Sequence, residues 1–212
     1  MPEETDRLEW EPGGGQQAER TPWERTASFP GDLFRSWMDV MTRPGEFFRM
    51  LDPEISFVRP LVFYLVLIVL GAGLSTVSWF AFPGDESLRP YVWLIFFLSP
   101  FSGLLALLVN TGMIHLGVRV FVRNAEPIHM TGRVLCYAAA TSVLSIIPWI
   151  GWLVGAAWSL ALMVIGVRCV HGTSLGRAVA AVLVPPLVIA VVLTMLFVML
   201  GVFLALAIGA AA

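Results

Sequence analysis

Long apolar stretches separated by short polar segments dominate the chain after about its sixtieth residue. The five longest are residues 61–82, 91–118, 134–148, 152–167 and 179–208. A bilayer core about 30 Å thick needs about 20 helical residues, so the first, second and fifth are long enough by themselves. The third and fourth need flanking residues and are separated only by residues 149–151, which suggests a helical hairpin. The pattern predicts an all-α integral membrane protein with five transmembrane helices.

The arginines indicate how these helices are oriented. All 13 basic residues are arginines, and most of those near the membrane fall in three segments on one side of the predicted helices. Those residues are Arg35, Arg43, Arg49, Arg59, Arg119, Arg123, Arg133, Arg168 and Arg177. The other side has Arg89, near Asp85 and Glu86. Under the positive-inside rule we expect a cytoplasmic-membrane protein with its N-terminus in the cytoplasm and its C-terminus outside.

Residues 31–59 carry apolar side chains at helical spacing and lead into the first apolar stretch. Pro44 and Gly45 interrupt the pattern and predict two short helices. The apolar face consists of Leu33, Phe34, Trp37, Met38 and Met41, followed by Phe47, Phe48, Met50 and Leu51. We predict an amphipathic interfacial helix anchored in the cytoplasmic headgroup boundary by Phe34, Trp37, Met38, Met41, Phe47 and Phe48. The alternative is that the same face packs against the cytoplasmic ends of the spans.

Residues 1–30 differ in composition from the rest of the chain. They combine Pro, Gly, Gln and Glu with few apolar residues, which is typical of a disordered tail. We therefore expect a disordered cytoplasmic tail (1–30), an interfacial segment (31–59) and a five-helix membrane domain (60–212). A net charge of -2 without a basic run argues against a nucleic-acid partner. The expected partners are the lipid bilayer and proteins at the cytoplasmic face.

Polar residues inside the second and third spans form two stripes at helical spacing. They are Asn110, Thr111 and His115 in the second span, and Tyr137, Thr141 and Ser145 in the third. Two interpretations stay open: interhelical hydrogen bonding, or a path for a proton or small solute. The spans carry no acidic or basic residue near their middle, which favours the structural interpretation over a charge-coupled transporter.

Small residues point to close helix packing. Gly151 and Gly155 form a GxxxG motif, and Gly201, Ala205 and Gly209 continue the same spacing in the last span. Such faces serve packing within one chain or a homo-oligomer.

Four residues chemically able to bind a metal are Cys136, Cys169, His129 and His171, but their spacing matches no known zinc motif. No catalytic motif is present either, so we predict no enzyme activity, catalytic residue, metal or cofactor.

The chain also resembles a known family in an ordered set of short motifs. These are His115 with Arg119, Thr-Gly-Arg-Val-Leu-Cys-Tyr from Thr131, Ile-Ile-Pro-Trp-Ile-Gly from Ile146, and His-Gly-Thr-Ser-Leu-Gly-Arg-Ala from His171. Over residues 37–208 the chain is similar to the bacterial branch of the Yip-one (Ypt-interacting protein) domain family. The resemblance implies five membrane helices and a cytoplasmic N-terminus. Eukaryotic members are associated with Rab-type GTPases, but their Asp-Leu-Tyr-Gly-Pro motif is absent from this chain.

These observations favour a non-enzymatic membrane protein that organises membrane or partner proteins, in a scaffold or trafficking-like role. The alternative is a small channel or transporter that uses the polar stripes.

Overall fold

The computed structural model describes residues 21–25, 29–81, 89–147 and 150–211, which form helices and no strand. Three short helices come first: α1 (Pro22–Arg25), α2 (Gly31–Thr42) and α3 (Pro44–Arg49). The boundary at Arg43 confirms the interruption expected at Pro44. The expectations for residues 1–20, for the loop with Asp85 and Glu86, and for the turn at Trp149 fall outside the described residues.

Four long apolar helices make up most of the molecule. They are α4 (Val58–Ala81), α5 (Arg89–Phe121), α7 (Gly151–Val170) and α8 (Leu175–Ala211). All four are long and apolar enough to cross a bilayer, and most of their large apolar side chains are exposed on the outside of the bundle. In lipid each backbone polar group must find its hydrogen-bond partner within the protein. A helix provides such partners within a single segment, which is why these stretches form helices. Four of the five predicted spans are therefore confirmed as candidate membrane helices.

The third apolar stretch takes a different form from the single helix expected. It consists of α6 (Ile128–Ala138) followed by a 3-10 helix (Ala139–Ile146). The 3-10 helix lies against α4, where the hydroxyls of Ser142 and Ser145 donate to the carbonyls of Leu67 and Gly71 at 2.8 and 3.0 Å. These two hydrogen bonds join the 3-10 helix to α4.

The GxxxG glycines allow α7 to lie close to the 3-10 helix within the same chain. A Cβ atom on Gly151 would come within 2.1 Å of the Leu144 carbonyl oxygen, and one on Gly155 within 3.3 Å of the Thr141 carbonyl oxygen. Only glycine allows the first of these contacts. Gly201 in α8 has no atom within 4 Å of such a position.

Helix α5 runs through Pro100 without interruption. Proline lacks the N–H that would bond the carbonyl four residues earlier, which belongs to Phe96. The Ser99 hydroxyl donates to that carbonyl at 2.7 Å and replaces the missing bond. One turn later the Tyr64 hydroxyl donates to the Gly103 carbonyl at 2.7 Å, which joins α4 to α5.

Candidate functional site at the N-terminal face of the bundle

Helices α1, α2 and α3 cover one end of the bundle, which we call the N-terminal face. The short helix α1 is fastened there by Trp23, whose side chain is only 5% exposed. Its indole N–H donates to the Arg59 carbonyl at 2.8 Å, and its backbone N–H donates to the Ser36 hydroxyl at 3.0 Å. Composition alone predicts that residues 21–25 belong to a disordered tail. In the structure they form a packed turn.

A buried ion pair lies beneath α1. The Glu24 carboxylate accepts hydrogen bonds through Oε1 from Arg133 Nη2 at 2.6 Å and from the Tyr137 hydroxyl at 2.9 Å. The side chains of Glu24 and Arg133 are both fully buried. Arg133 also donates to the Asp52 carbonyl, and the Arg59 guanidinium donates to the Glu24 carbonyl. We call these four side chains, Glu24, Arg59, Arg133 and Tyr137, the Glu24 centre.

In the Glu24 centre, the Arg133 guanidinium bonds the Glu24 carboxylate and the Arg59 guanidinium bonds the backbone carbonyl of the same residue. Charge-assisted hydrogen bonds of this kind are stronger than neutral ones. Removing one partner of a buried pair costs about 3–5 kcal/mol, because the other charge stays in a poorly solvated site. The ion pair therefore couples α1 to α6 across 109 residues of sequence.

The sequence pattern places Arg133 among the loop arginines and Glu24 in the tail, so it does not reveal this pair. One signal was available. Arg133 and Tyr137 lie one helical turn apart in an otherwise apolar segment, and such a charge needs a partner. The sequence does not say which of the 15 acidic residues supplies that partner.

A second polar cluster joins α5, α6 and the turn before α8. The Thr131 hydroxyl lies 3.0 Å from His115 Nδ1 and 3.1 Å from His171 Nε2. The Glu126 backbone N–H donates to His171 Nδ1 at 3.1 Å, so the neutral ring carries its proton on Nε2. Burial, followed by the nearby His115 ring, lowers the pKa of His171 to about 4. The arrangement therefore holds His171 neutral at physiological pH.

The residues of the two predicted polar stripes have different partners in the structure. Asn110 donates to the Ala106 carbonyl of its own helix at 2.7 Å, whereas His115 contacts Thr131. Tyr137 binds Glu24, Thr141 donates to the Ala138 carbonyl at the end of α6, and Ser145 donates to α4. Thr111 is half-buried and faces Gly132 of α6. Most of these polar groups thus serve local or interhelical hydrogen bonds.

The predicted interfacial anchors separate into two groups. Phe47 and Phe48 are fully buried, and the Phe47 ring lies 4.8 Å from that of Tyr137. Trp37 is half-buried and donates its indole N–H to the Ala140 carbonyl at 2.9 Å, while Met41 is half-buried nearby. Phe34 and Met38 are exposed, at 59% and 39%. Phe47 and Phe48 therefore pack within the chain, whereas Phe34 and Met38 face outward.

The four metal-capable residues do not come together. His129 lies 3.3 Å from the Pro53 carbonyl, and the Cys169 thiol contacts the Gly45 carbonyl at 3.7 Å. His171 belongs to the Thr131 cluster, and Cys136 is buried in the core. Within the part of the chain that the structure describes, no three His, Cys, Asp or Glu residues are grouped so that they could hold a metal ion.

A comparison with protein families identifies the family. The family model for the Yip1 domain matches residues 38–198, about three quarters of the chain. The chain belongs to the Yip1 domain family. The matched region begins in α2 and ends in α8, so it contains Arg133 and Tyr137 but not Glu24. No curated protein and no solved structure gives a significant match.

The family and the four long apolar helices together make the chain a multi-pass membrane protein of the Yip1 domain family. They also confirm the resemblance inferred from the motifs between His115 and Ala178.

Proposed function

We propose that this Yip1 domain protein is a non-enzymatic scaffold of the cytoplasmic membrane that organises membrane or partner proteins at its N-terminal face. The observation that supports the proposal is the exposed apolar stripe of α2. Phe34 and Met38 lie on its outer surface, with Trp37 and Met41 at the edge. Exposed apolar patches on a fixed element are typical of protein or membrane contact sites.

The same helix is held firmly by its inner face. Leu33, Ser36 and Val40 are buried, and Ser36 and Trp37 bond to α1 and to the 3-10 helix. A partner that binds the outer face therefore meets a surface ordered before binding. Less conformational entropy is lost in such an association than when a flexible segment must first become ordered.

The scaffold proposal includes five membrane crossings with the N-terminal face in the cytoplasm. From Arg133 at the N-terminal face to Ile146, α6 and the 3-10 helix together are about 25 Å long, at about 1.5 Å per α-helical and 2.0 Å per 3-10 residue. This length approaches that of a bilayer core of about 30 Å. The arginine distribution supports the orientation, and the exposed stripe of α2 then lies at the cytoplasmic headgroup level, as an interfacial helix does.

Quantitative mass spectrometry of proteins that co-purify in native lipid nanodiscs tests the role of α2. If a partner half-buries Phe34 and Met38, truncating both to alanine weakens the binding free energy by about 2–3 kcal/mol. Recovery of the partner then drops more than tenfold. The matched control truncates Val188 and Phe197, two exposed residues of α8, and keeps the partner. Equal recovery from both double variants contradicts the proposal.

The transporter alternative rests on the polar stripes. Alanine at Asn110 and His115 abolishes flux in reconstituted vesicles if these residues line a path. Flux that is absent from the unmodified protein, or unchanged in this variant, removes the alternative. The hydrogen bonds of Asn110 and Ser145 to backbone carbonyls favour the structural interpretation.

A further inference from the structure

The donors of the Glu24 centre converge from two parts of the chain. Arg59 lies in the first turn of α4 and donates to the Glu24 backbone carbonyl, whereas Arg133 and Tyr137 lie one turn apart on α6 and donate to the Glu24 carboxylate. The Asp52 carbonyl accepts from Arg133 and helps to orient its guanidinium. The receptor side of this site is therefore built by the bundle, whereas the acceptor arrives on a four-residue helix.

The fit between acceptor and donors is incomplete. Among the described residues, Glu24 Oε2 and Arg133 Nε are buried and have no hydrogen-bond partner. A guanidinium presents a fork of donors that matches a carboxylate or phosphate with two parallel bonds, but here one carboxylate oxygen takes all the side-chain bonds. Glu24 thus uses only part of the donor capacity of the site.

We propose that Arg133, Tyr137 and Arg59 form an anion-binding site for a phosphate group, and that Glu24 occupies it as an internal ligand until α1 lifts away. The receptor residues lie in or near the region that defines the family, and Glu24 lies outside it. The inference concerns a binding site and does not depend on the scaffold role.

The charges favour phosphate as the external ligand. Two guanidinium groups contact Glu24, Arg133 through the carboxylate and Arg59 through the backbone carbonyl, and both lose these acceptors when α1 leaves. A phosphate group offers more acceptor oxygens than a carboxylate, and arginine binds it in a bidentate manner. The phosphate comes from an anionic lipid headgroup or from free phosphate, and the experiment separates the two.

The structure also explains how α1 acts as a cover. Its attachment consists of Trp23, the bonds of Arg59 and Ser36, and the ion pair itself. Neutralising Glu24 removes the carboxylate that pairs with the buried Arg133 guanidinium, which is costly. Release of α1 relieves this cost because it exposes the guanidinium to water or to an anion.

The test uses the full chain in phosphatidylcholine nanodiscs, with or without phosphatidylglycerol, and native mass spectrometry to count retained lipids. Glu24→Gln keeps the shape of the side chain and removes its charge. If the site is open for about a tenth of the time in the unmodified protein, this variant binds the anionic lipid about tenfold more tightly. Glu54→Gln, at an exposed position, is the matched control and leaves binding unchanged.

Two further measurements assign the ligand and the residue. Tighter phosphatidylglycerol binding that inorganic phosphate does not displace identifies the lipid headgroup. Stabilisation of Glu24→Gln by inorganic phosphate in phosphatidylcholine alone identifies free phosphate. Adding Arg133→Met to Glu24→Gln abolishes either effect, and binding that persists in this double variant overturns the proposal.

The unmodified protein provides a test that does not depend on variants. Phosphatidylglycerol or phosphate raises hydrogen exchange of the Trp23 backbone amide, because its hydrogen bond to the Ser36 hydroxyl of α2 exists only while α1 is docked. The proposal is overturned if exchange stays constant and if Glu24→Gln and Glu54→Gln bind both anions equally.

Discussion

The contact between α5 and α8 provides a sharp test of the packing because it depends on one glycine. Pro185 in α8 lacks an N–H, so the Ala181 carbonyl loses its usual helical donor. This carbonyl faces Gly117 of α5. A Cβ atom on Gly117 would lie 2.2 Å from the Ala181 oxygen and 2.7 Å from Pro185 Cγ. Replacing Gly117 with alanine therefore places a methyl group against backbone that has no rotamer to change.

The size of the effect follows from these distances. Carbon–oxygen contacts of this kind are comfortable at about 3.3–3.6 Å, so α5 and α8 must separate by about 1 Å. Overpacking of a close interface costs about 1–3 kcal/mol. Taking about 2 kcal/mol and a chain of this size, we expect Gly117→Ala to lower the apparent Tm by about 4–8 °C.

Thermal unfolding in detergent, followed by size-exclusion chromatography, measures this change. Gly112→Ala is the matched control, because it lies on the same helix and its added Cβ meets no atom within 4 Å. Alanine also favours helix over glycine, so Gly112→Ala leaves the Tm unchanged or slightly higher. If Gly117→Ala unfolds at the same temperature as Gly112→Ala, the described approach of α5 and α8 is wrong.

Two further outcomes test the titration of His171 and the orientation of the bundle. The pKa of His171 is about 4 in the folded chain and about 6.5 when unfolded, so the unfolded state binds more protons between these values. The contribution of His171 to the free energy of unfolding is therefore constant above about pH 6.5. It falls by about 1–2 kcal/mol toward pH 4.5, after allowance for solvent screening. His171→Asn keeps an acceptor for the Glu126 N–H and loses this extra pH dependence in thermal unfolding, whereas an equally steep profile in the variant refutes the assignment. For the orientation, a C-terminal alkaline phosphatase fusion is active and a C-terminal fluorescent-protein fusion is dark. The reverse pattern contradicts an odd number of crossings from a cytoplasmic N-terminus.

Local pattern alone was enough to predict most of the helices and the family. Residues 61–82, 91–118, 152–167 and 179–208 each fall within or nearly within an observed helix, because a long apolar stretch in lipid has no other way to satisfy its backbone. The helix break at Pro44 and the motifs around Thr131 and His171 could also be predicted, because each depends only on neighbouring residues.

Tertiary structure alone decided how the polar and aromatic residues are used. Phe34 and Phe47 have similar sequence surroundings, yet one is exposed and the other fully buried, because burial depends on which helix lies opposite. Glu24 and Arg133 are paired across 109 residues, and no local periodicity links them. The sequence determined which segments become helices, through backbone bonding and apolar length. The packed bundle determined that Glu24 pairs with Arg133, because only folding brings these two charges together.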